Sequence, residues 1–552
     1  MSGKADRNLE KPIIGHGTWL DKTAERILER EKRLGRESQV LKVESGLGAS
    51  GIPHIGSLAD GARAYGLKLA LEEAGQKALY VAFSDDRDGL RRVPQDFPSE
   101  LETFLGHPVN EIPDPFSCHS SYGDHMSALL REALDTCKIE YEFISGAEAY
   151  RQGLFDEQIH QILSKAERIG EMIRDEVGQE KYVETLPYFA VCENCSRIYT
   201  THATKYLPDE RKVLYECRGM ELKGQQLEGC GYKGETNITA AKGKLAWKVE
   251  FAARWAALGI HVEGYGKDIA DSVRINDKIC EEILKWSAPF HIRYEMFLDS
   301  GGKKISKSAG NVFTPQVWFR YGSPQSLLLL MYKRVIGTRI VGADEIPSYM
   351  RELDSLEDIY FGKITLTDKR DLEKLRGLYR YCWLMNPPDR PSLHIPYNFM
   401  VFLARVAPKG SEEQYVLDKL KEYDYDVDPQ SANLLQRIRY AQAWAADFSG
   451  IVETRTIIDN KEKEAIRDLI TIIRAERDEN TLQNAIFTTA KKHSLQVREF
   501  FKILYEILIG TSEGPRLGPY IVAMGQENVA EALSRALSQP ASNAQQTEQH
   551  IQ

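Results

Sequence analysis

Two short runs in this chain put phosphate-binding groups where main-chain geometry favours them. Pro53, His54, Ile55, Gly56 and Ser57 lie where a Gly-rich stretch, Glu44 through Gly56, enters a helix. There the unpaired N–H groups and the positive helix end would face a phosphate, and His54 would add a donor. Taken alone, a Gly-rich turn before a helix is common, and a single histidine is more often structural. About 250 residues later, Lys304, Ile305, Ser306, Lys307 and Ser308, followed by Gly310 and Asn311, set two ammonium groups and two hydroxyls on a Gly-flanked loop. That set suits a polyphosphate, although a solvated basic turn is the ordinary reading of such a loop. The pairing of the two runs separates them from that background.

A second kind of chemistry is metal binding. Cys192 and Cys195, with two residues between them, are followed by Cys217 and Cys230, a set of four thiols that can close a tetrahedral structural zinc site with no catalytic water. The alternative is four unrelated buried thiols. Asp114, Cys118, His119 and His125 bring O, S and N donors together within a dozen residues, as a second metal site or as a polar loop. Eight cysteines in a chain of 552 residues are too few for a disulfide scaffold.

Several domains are needed to position these groups, because the chain is too long for one ordinary core. A helical pattern over Trp19 to Arg33 repeats apolar Ala24, Ile27 and Leu28. Val40 to Val43, the Gly-rich stretch, a helix from about Leu58 to Ala74 stopped by Gly75, and the strand Ala78 to Phe83 follow in turn. The last strand ends at Asp85, Asp86 and Asp88, and the whole reads as the opening of a parallel nucleotide-binding sheet. The sheet resumes near Ile260, with a helix at about Asn276 to Trp286 and a strand over Ile292 to Leu298. Beyond Pro347 long amphipathic helices take over, such as Lys461 to Arg477 with Ile466, Leu469, Ile470 and Ile473 on one side.

The fold expected is therefore α/β, a Rossmann-type parallel-sheet catalytic domain with a zinc-bearing insertion, followed by an all-α C-terminal domain. Its first half spans 1–110, the inserted module 111–245, the second half 246–300 and the lysine-rich loop and junction 301–350. The helical domain spans 351–537, and 538–552 form a disordered tail rich in Gln, Ser and Asn. With 42% hydrophobic and 28% charged residues and no long apolar run, no membrane span is expected. Residues Met1 to Leu20 lack the apolar core of a secretory signal, so a cytoplasmic location is expected. A net charge of −9 argues against wholesale wrapping of nucleic acid but leaves room for a local basic groove.

The two phosphate-facing runs, in this order, resemble the paired H-I-G-H and K-M-S-K-S motifs of class I aminoacyl-tRNA synthetases. Ser57 stands where the first motif ends in histidine, and Ile305 where the second has methionine. Four further stretches are similar to the class I lysyl-tRNA synthetases: Trp19 to Ala24, Glu44 to Gly56, Ser84 to Pro94, and Gly243 to Glu250 leading to Gly266 and Asp268. The resemblance implies activation of L-lysine with ATP and Mg²⁺, release of pyrophosphate, and transfer to the 2′-hydroxyl of tRNA(Lys). His54, Lys304 and Lys307 would be catalytic. Pro53, Gly56, Ser57, Ser306, Ser308, Gly266 and Asp268 would join them around ATP, the last two at the ribose. It also implies that residues after about 350 grip the anticodon arm, and that a second zinc at Asp114 accompanies the first. Neither DNA nor membrane is a partner, and a monomer is favoured.

A substrate that ends in an ammonium group needs a buried or half-buried carboxylate to hold it. Asp85, Asp86, Asp88 and Glu250 are available, with Trp247 to wall the aliphatic stem, and Ser45 and Gly46 of the Gly-rich stretch are further candidates for the amino-acid site. Acidic residues at strand ends are otherwise ordinarily solvated or cap helices. A glutamate or glutamine enzyme of the same class would keep both motifs and change only this pocket, and a catalytically silent tRNA-binding relative is the reading from another functional class.

Overall fold

The computed structural model describes residues 13–36, 38–94, 97–222, 225–299, 301–303, 305, 313–408, 410–448, 458–509 and 514–538. Lys304, Ser306, Lys307, Ser308, Gly310 and Asn311, and the tail expected from 538 apart from Ser538 itself, lie outside the described residues. Two units result, one of Met1–Gln316, Leu328–Gly342 and Thr365–Pro387, the other of Val317–Leu327, Ala343–Ile364 and Pro388–Gln552. Among the described residues no helix is long and apolar enough to cross a membrane.

The first unit is built on a five-stranded parallel sheet of β1 (Leu41–Leu47), β2 (Ala78–Ser84), β3 (Glu142–Ser145), β4 (Val262–Gly266) and β5 (Phe290–Tyr294), in the order β5-β4-β1-β2-β3. Val43 pairs with Tyr80 on one side and Val262 on the other, so β1 is central. Covered on both faces, it carries near-continuous buried residues, as a parallel sheet requires. β3, from the segment expected to be inserted, forms the edge next to β2.

α1 (Trp19–Arg33) begins with a Thr18 capping box in which Asp21 returns the bond, and it buries Leu20, Ala24 and Ile27. α2 (Ile55–Glu73) follows β1 and is buried on most of its surface by Leu58, Ala59, Ala62, Leu67 and Leu71. α3 (Trp247–Leu258) and α4 (Ala270–Glu282) flank the later strands and pack against each other. The connection from β1 runs to β2 while β4 lies on the opposite side of β1. This reversal opens a crevice at the strand C-termini, where ligands of open α/β sheets bind.

Between β3 and β4 lies a small antiparallel module with strands Thr201–Leu207, Lys212–Cys217 and Lys233–Asn237, and a hairpin of Gly219–Leu222 with Gln225–Glu228. The second unit is helical. Its segment Asn460–Ala475 starts with an Asp459–Glu462 capping box and buries Ala465, Ile466, Leu469, Ile470 and Ile473, the stripe expected from periodicity.

Candidate active site and metal centres

The start of α2 shows why a glycine follows the histidine. His54 is the N-cap, and its Nδ1 accepts a hydrogen bond from Ser57 N at 3.2 Å. With Nδ1 accepting, the neutral ring carries its proton on Nε2. A Cβ on Gly56 would lie 2.9 Å from His54 Cε1 and 3.0 Å from Nδ1, closer than real Cβ atoms approach, so the ring needs glycine there. Ile55 N donates to Phe313 O at 2.8 Å, which ties the beginning of α2 to the chain that follows the lysine-rich loop.

A cavity of about 280 Å³ opens at the C-terminal ends of β1, β4 and β5. His54, Gly56 and Ser57 line it together with Gly46, Asp85, Trp247, Gly266 and Asp268. Ile305 also lines it, with its N–H bonded to Phe297 O at 3.2 Å, so the described residue of the lysine-rich run faces the same space as His54. Gly266 precedes a single 3-10 turn, and a Cβ there would meet Asp268 Oδ1 at 2.8 Å. Pro53, Ser45, Asp86, Asp88 and Glu250 do not line the cavity.

The four polar residues among these have other partners. Ser45 Oγ lies 2.7 Å from Tyr80 Oη. Asp86 accepts from Ala147 N at 2.7 Å and so holds the helix that follows β3. Asp88 and Glu250 share Lys244, a lysine only 2% exposed whose Nζ lies 2.8 Å from Glu250 Oε2 and pairs with Asp88. Burial alone would raise the Asp88 carboxyl, but Lys244 and Arg91 outweigh it and hold it below the usual range. Tyr150 Oη donates to the other Glu250 oxygen at 2.8 Å.

Sequence reasoning missed the residues that set the charge of the cavity. Arg254 on α3 is 1% exposed, with Nε 2.6 Å from Glu44, Nη1 3.3 Å from Asp85 and Nη2 3.0 Å from Glu263. One guanidinium thus faces three carboxylates. Burial pushes Asp85 up to about 7 against the pull of Arg254, and it raises Glu44 well above the carboxylate range. Asp60 is raised to about 7 by burial, and Arg63, also lining the cavity, sits over the Tyr294 ring at 4.5 Å. Glu44 inside a buried strand, and Arg254 among apolar helix positions, were visible as charges where a core residue belongs.

The four cysteines meet. Cys192 and Cys230 Sγ atoms lie 3.6 Å apart, those of Cys195 and Cys217 3.8 Å, and all four lie within 4.8 Å of one another. Zn–S bonds of about 2.3 Å in a tetrahedron place sulfurs about 3.8 Å apart, so the set fits zinc, whereas a disulfide needs about 2.05 Å. Asp114, Cys118, His119 and His125 form the second set, with Cys118 Sγ 3.2 Å from His119 Nδ1 and 3.3 Å from His125 Nδ1. Burial opposes ionisation of Asp114, yet N–H groups of Phe116, His119 and Cys118 bring it down to about 2, leaving an anionic ligand.

A family model described as tRNA synthetases class I (K) matches residues 17–382. A lysine–tRNA ligase of Cenarchaeum symbiosum is 48% identical over 517 residues, covering 94% of this chain and 98% of that protein. One from Roseobacter denitrificans is 30% identical, covering 94% and 96%, and one from Rickettsia typhi 29% identical, covering 96% and 98%. With a family model across most of its length and relatives matched nearly end to end, the chain belongs to the class I lysyl-tRNA synthetase family.

Proposed function

We propose that this protein activates L-lysine with ATP and transfers it to tRNA(Lys) in the cytoplasm. The observation that carries the reading is one cavity lined both by the anion-facing start of α2 and by carboxylates in excess of cations. Asp85 and Glu263 would take the substrate's ε-ammonium beside the Trp247 ring, and that added charge would draw Asp85 down from its raised value. A glutamate side chain would add a fourth carboxylate to the group around Arg254, which disfavours that specificity.

The α-carboxylate of lysine is a nucleophile at neutral pH and needs no base. It attacks the α-phosphorus of ATP in line; the new O–P bond forms as the bond to pyrophosphate breaks. His54 Nε2, the first N–H groups of α2, and Lys304, Ser306, Lys307 and Ser308 offset the charge on the phosphates. Gly266 and Asp268 hold the ribose. Mg²⁺ would supply further neutralisation on the phosphate oxygens. The terminal 2′-hydroxyl of the tRNA then attacks the activated carbonyl and AMP leaves. The four cysteines would hold a structural zinc, Asp114 and its neighbours a second one, and the helical unit would contact the anticodon arm.

ATP–pyrophosphate exchange with each of the twenty amino acids, with and without tRNA, tests the reading. Exchange driven by lysine is expected. Exchange driven by another amino acid overturns the pocket assignment, and none under any condition leaves a tRNA-binding relative without activation chemistry.

A further inference from the structure

Trp247 lines the cavity, and the residues that hold its ring reach well beyond it. It opens α3 after Ala246, an N-cap with no side-chain hydrogen bond, and Asn276 Nδ2 donates to its carbonyl at 2.9 Å, which fixes the backbone. Three neighbours fix the indole. Its Nε1 donates to Asp88 Oδ1 at 3.4 Å, the Phe251 ring lies 5.5 Å away, and the Arg91 guanidinium stands 5.4 Å from the ring centre. Arg91 Nη2 also donates to Asp88 Oδ2 at 3.1 Å, so one arginine meets both the ring and the acceptor of its N–H. Neither Arg91 nor Asp88 lines the cavity.

Arg91 is itself seated on the module that carries the four cysteines. Its Nη2 donates to Tyr199 Oη at 2.9 Å, and its guanidinium lies 5.1 Å from the centre of that ring. Tyr199 stands between Cys195 and Cys217 in the chain and packs directly on the turn after β2. A Cβ on Gly89 would lie 2.7 Å from Tyr199 Cδ2 and Cε2, an approach that only glycine permits. Ile198 N donates to Gly106 O at 2.7 Å, and Gly106 N to Leu90 O at 2.8 Å, which registers the module against the residue before Arg91. Direct contacts therefore run from Tyr199 through Arg91 to the indole.

Charge alone does not account for this arrangement. Asp88 and Glu250 face Lys244 and Arg91, two carboxylates against two cations, so the group offers neither end of an amino acid a net charge. What it supplies is a place for a ring. A guanidinium over an aromatic face attracts it, and a flat wall serves an aliphatic stem only while its own rotamer is locked by the residues behind it.

We infer that Arg91, seated on Tyr199, is a positioning residue that fixes the Trp247 ring as the wall for the substrate's aliphatic stem. This rests on the proposed lysine substrate and names a residue outside the cavity that sets affinity within it.

The test is ATP–pyrophosphate exchange by the full-length protein with lysine varied, for Arg91→Ala, Arg91→Lys, Trp247→Leu and Arg91→Ala/Trp247→Leu. Arg91→Ala should raise the KM for lysine roughly 3- to 30-fold, with kcat and the KM for ATP those of the wild type. Arg91→Lys keeps a cation for Asp88 and gives up the flat fork, so it should melt as the wild type does and raise the KM by less. Should Arg91→Ala not fold, Arg91→Lys carries the same comparison. Trp247→Leu should raise the KM as well, and adding Arg91→Ala to it should change the KM by less than about twofold, because an effect carried by the ring is already lost. A wild-type KM in both Arg91 variants, or a full further rise when Arg91→Ala is added to Trp247→Leu, overturns the inference, and lysine-driven exchange by the wild type then leaves the functional reading standing. A wild type whose exchange lysine does not drive overturns both.

Discussion

Lys244 Nζ lies 2.8 Å from Glu250 Oε2, and the same ammonium pairs with Asp88. An internal lysine therefore occupies two of the carboxylates that a substrate ammonium would otherwise find, and it is buried with them. Replacing it by Met should expose the arrangement, because an acid left buried without its partner costs about 3–5 kcal/mol. Urea unfolding of Lys244→Met should show a loss of that order, with part recovered in Lys244→Met/Glu250→Gln. A single variant as stable as the wild type would mean that the pair contributes nothing.

Asp85 is expected to carry lysine affinity. Asp85→Asn keeps the shape of the side chain and removes the charge that would face the ammonium while leaving Arg254 paired with Glu44 and Glu263. The KM for lysine in pyrophosphate exchange should rise by about 30-fold or more, since truncating one member of a buried charge pair costs about 2–5 kcal/mol. The KM for ATP should change little, and a lysine KM within threefold of wild type would remove Asp85 from the pocket.

The same carboxyl sets a pH dependence. Burial raises Asp85 to about 7 in the empty site, so below that pH it is protonated and cannot pair with the ammonium. The kcat/KM for lysine should fall about tenfold per pH unit below 7 and level off above it, a dependence that Asp85→Asn should abolish. For stability the sign is opposite. A carboxyl whose folded value is raised contributes stability that is present below its unfolded value near 3.9 and is lost as pH rises through 7. Calorimetric titration with lysine at pH 7 in two buffers of different ionisation enthalpy should register proton release; equal heats in both would contradict it.

Gly56→Ala places a methyl against the His54 ring. The ring must turn, and the Nε2 donor would leave the phosphate. Single-turnover adenylate formation should slow by about 10- to 100-fold, in the range seen when one preorganised donor is removed. Circular dichroism should be unchanged, and a wild-type rate would exclude His54 from the chemistry.

Two zinc ions per chain are expected by elemental analysis. Cys118→Ser should remove one, and Cys195→Ser should remove the other while lowering the melting temperature, because a fully ligated site contributes to folding. Two ions retained in Cys195→Ser would refute the four-cysteine site.

Local chemistry made several features legible in the sequence alone. The helix over Trp19–Arg33 follows from its apolar repeat, and the buried stripe Ile466, Leu469, Ile470 and Ile473 from a period of 3.6 residues. The His54–Gly56 turn and the closeness of Cys192 to Cys195 depend on neighbours in the chain. Tertiary structure decided which charges meet. Glu44 on β1, Asp85 just past β2 and Glu263 on β4 converge on Arg254, and Lys244 claims Asp88 from the loop after β2 and Glu250 from α3. A Coulomb interaction falls with distance through space and depends on the dielectric around it, and neither quantity is written in residue spacing. The sequence by itself therefore singled out the His54–Gly56 turn and the two clusters of side chains able to hold a metal, whereas only the fold could divide the acidic residues between an internal lysine and the open cavity.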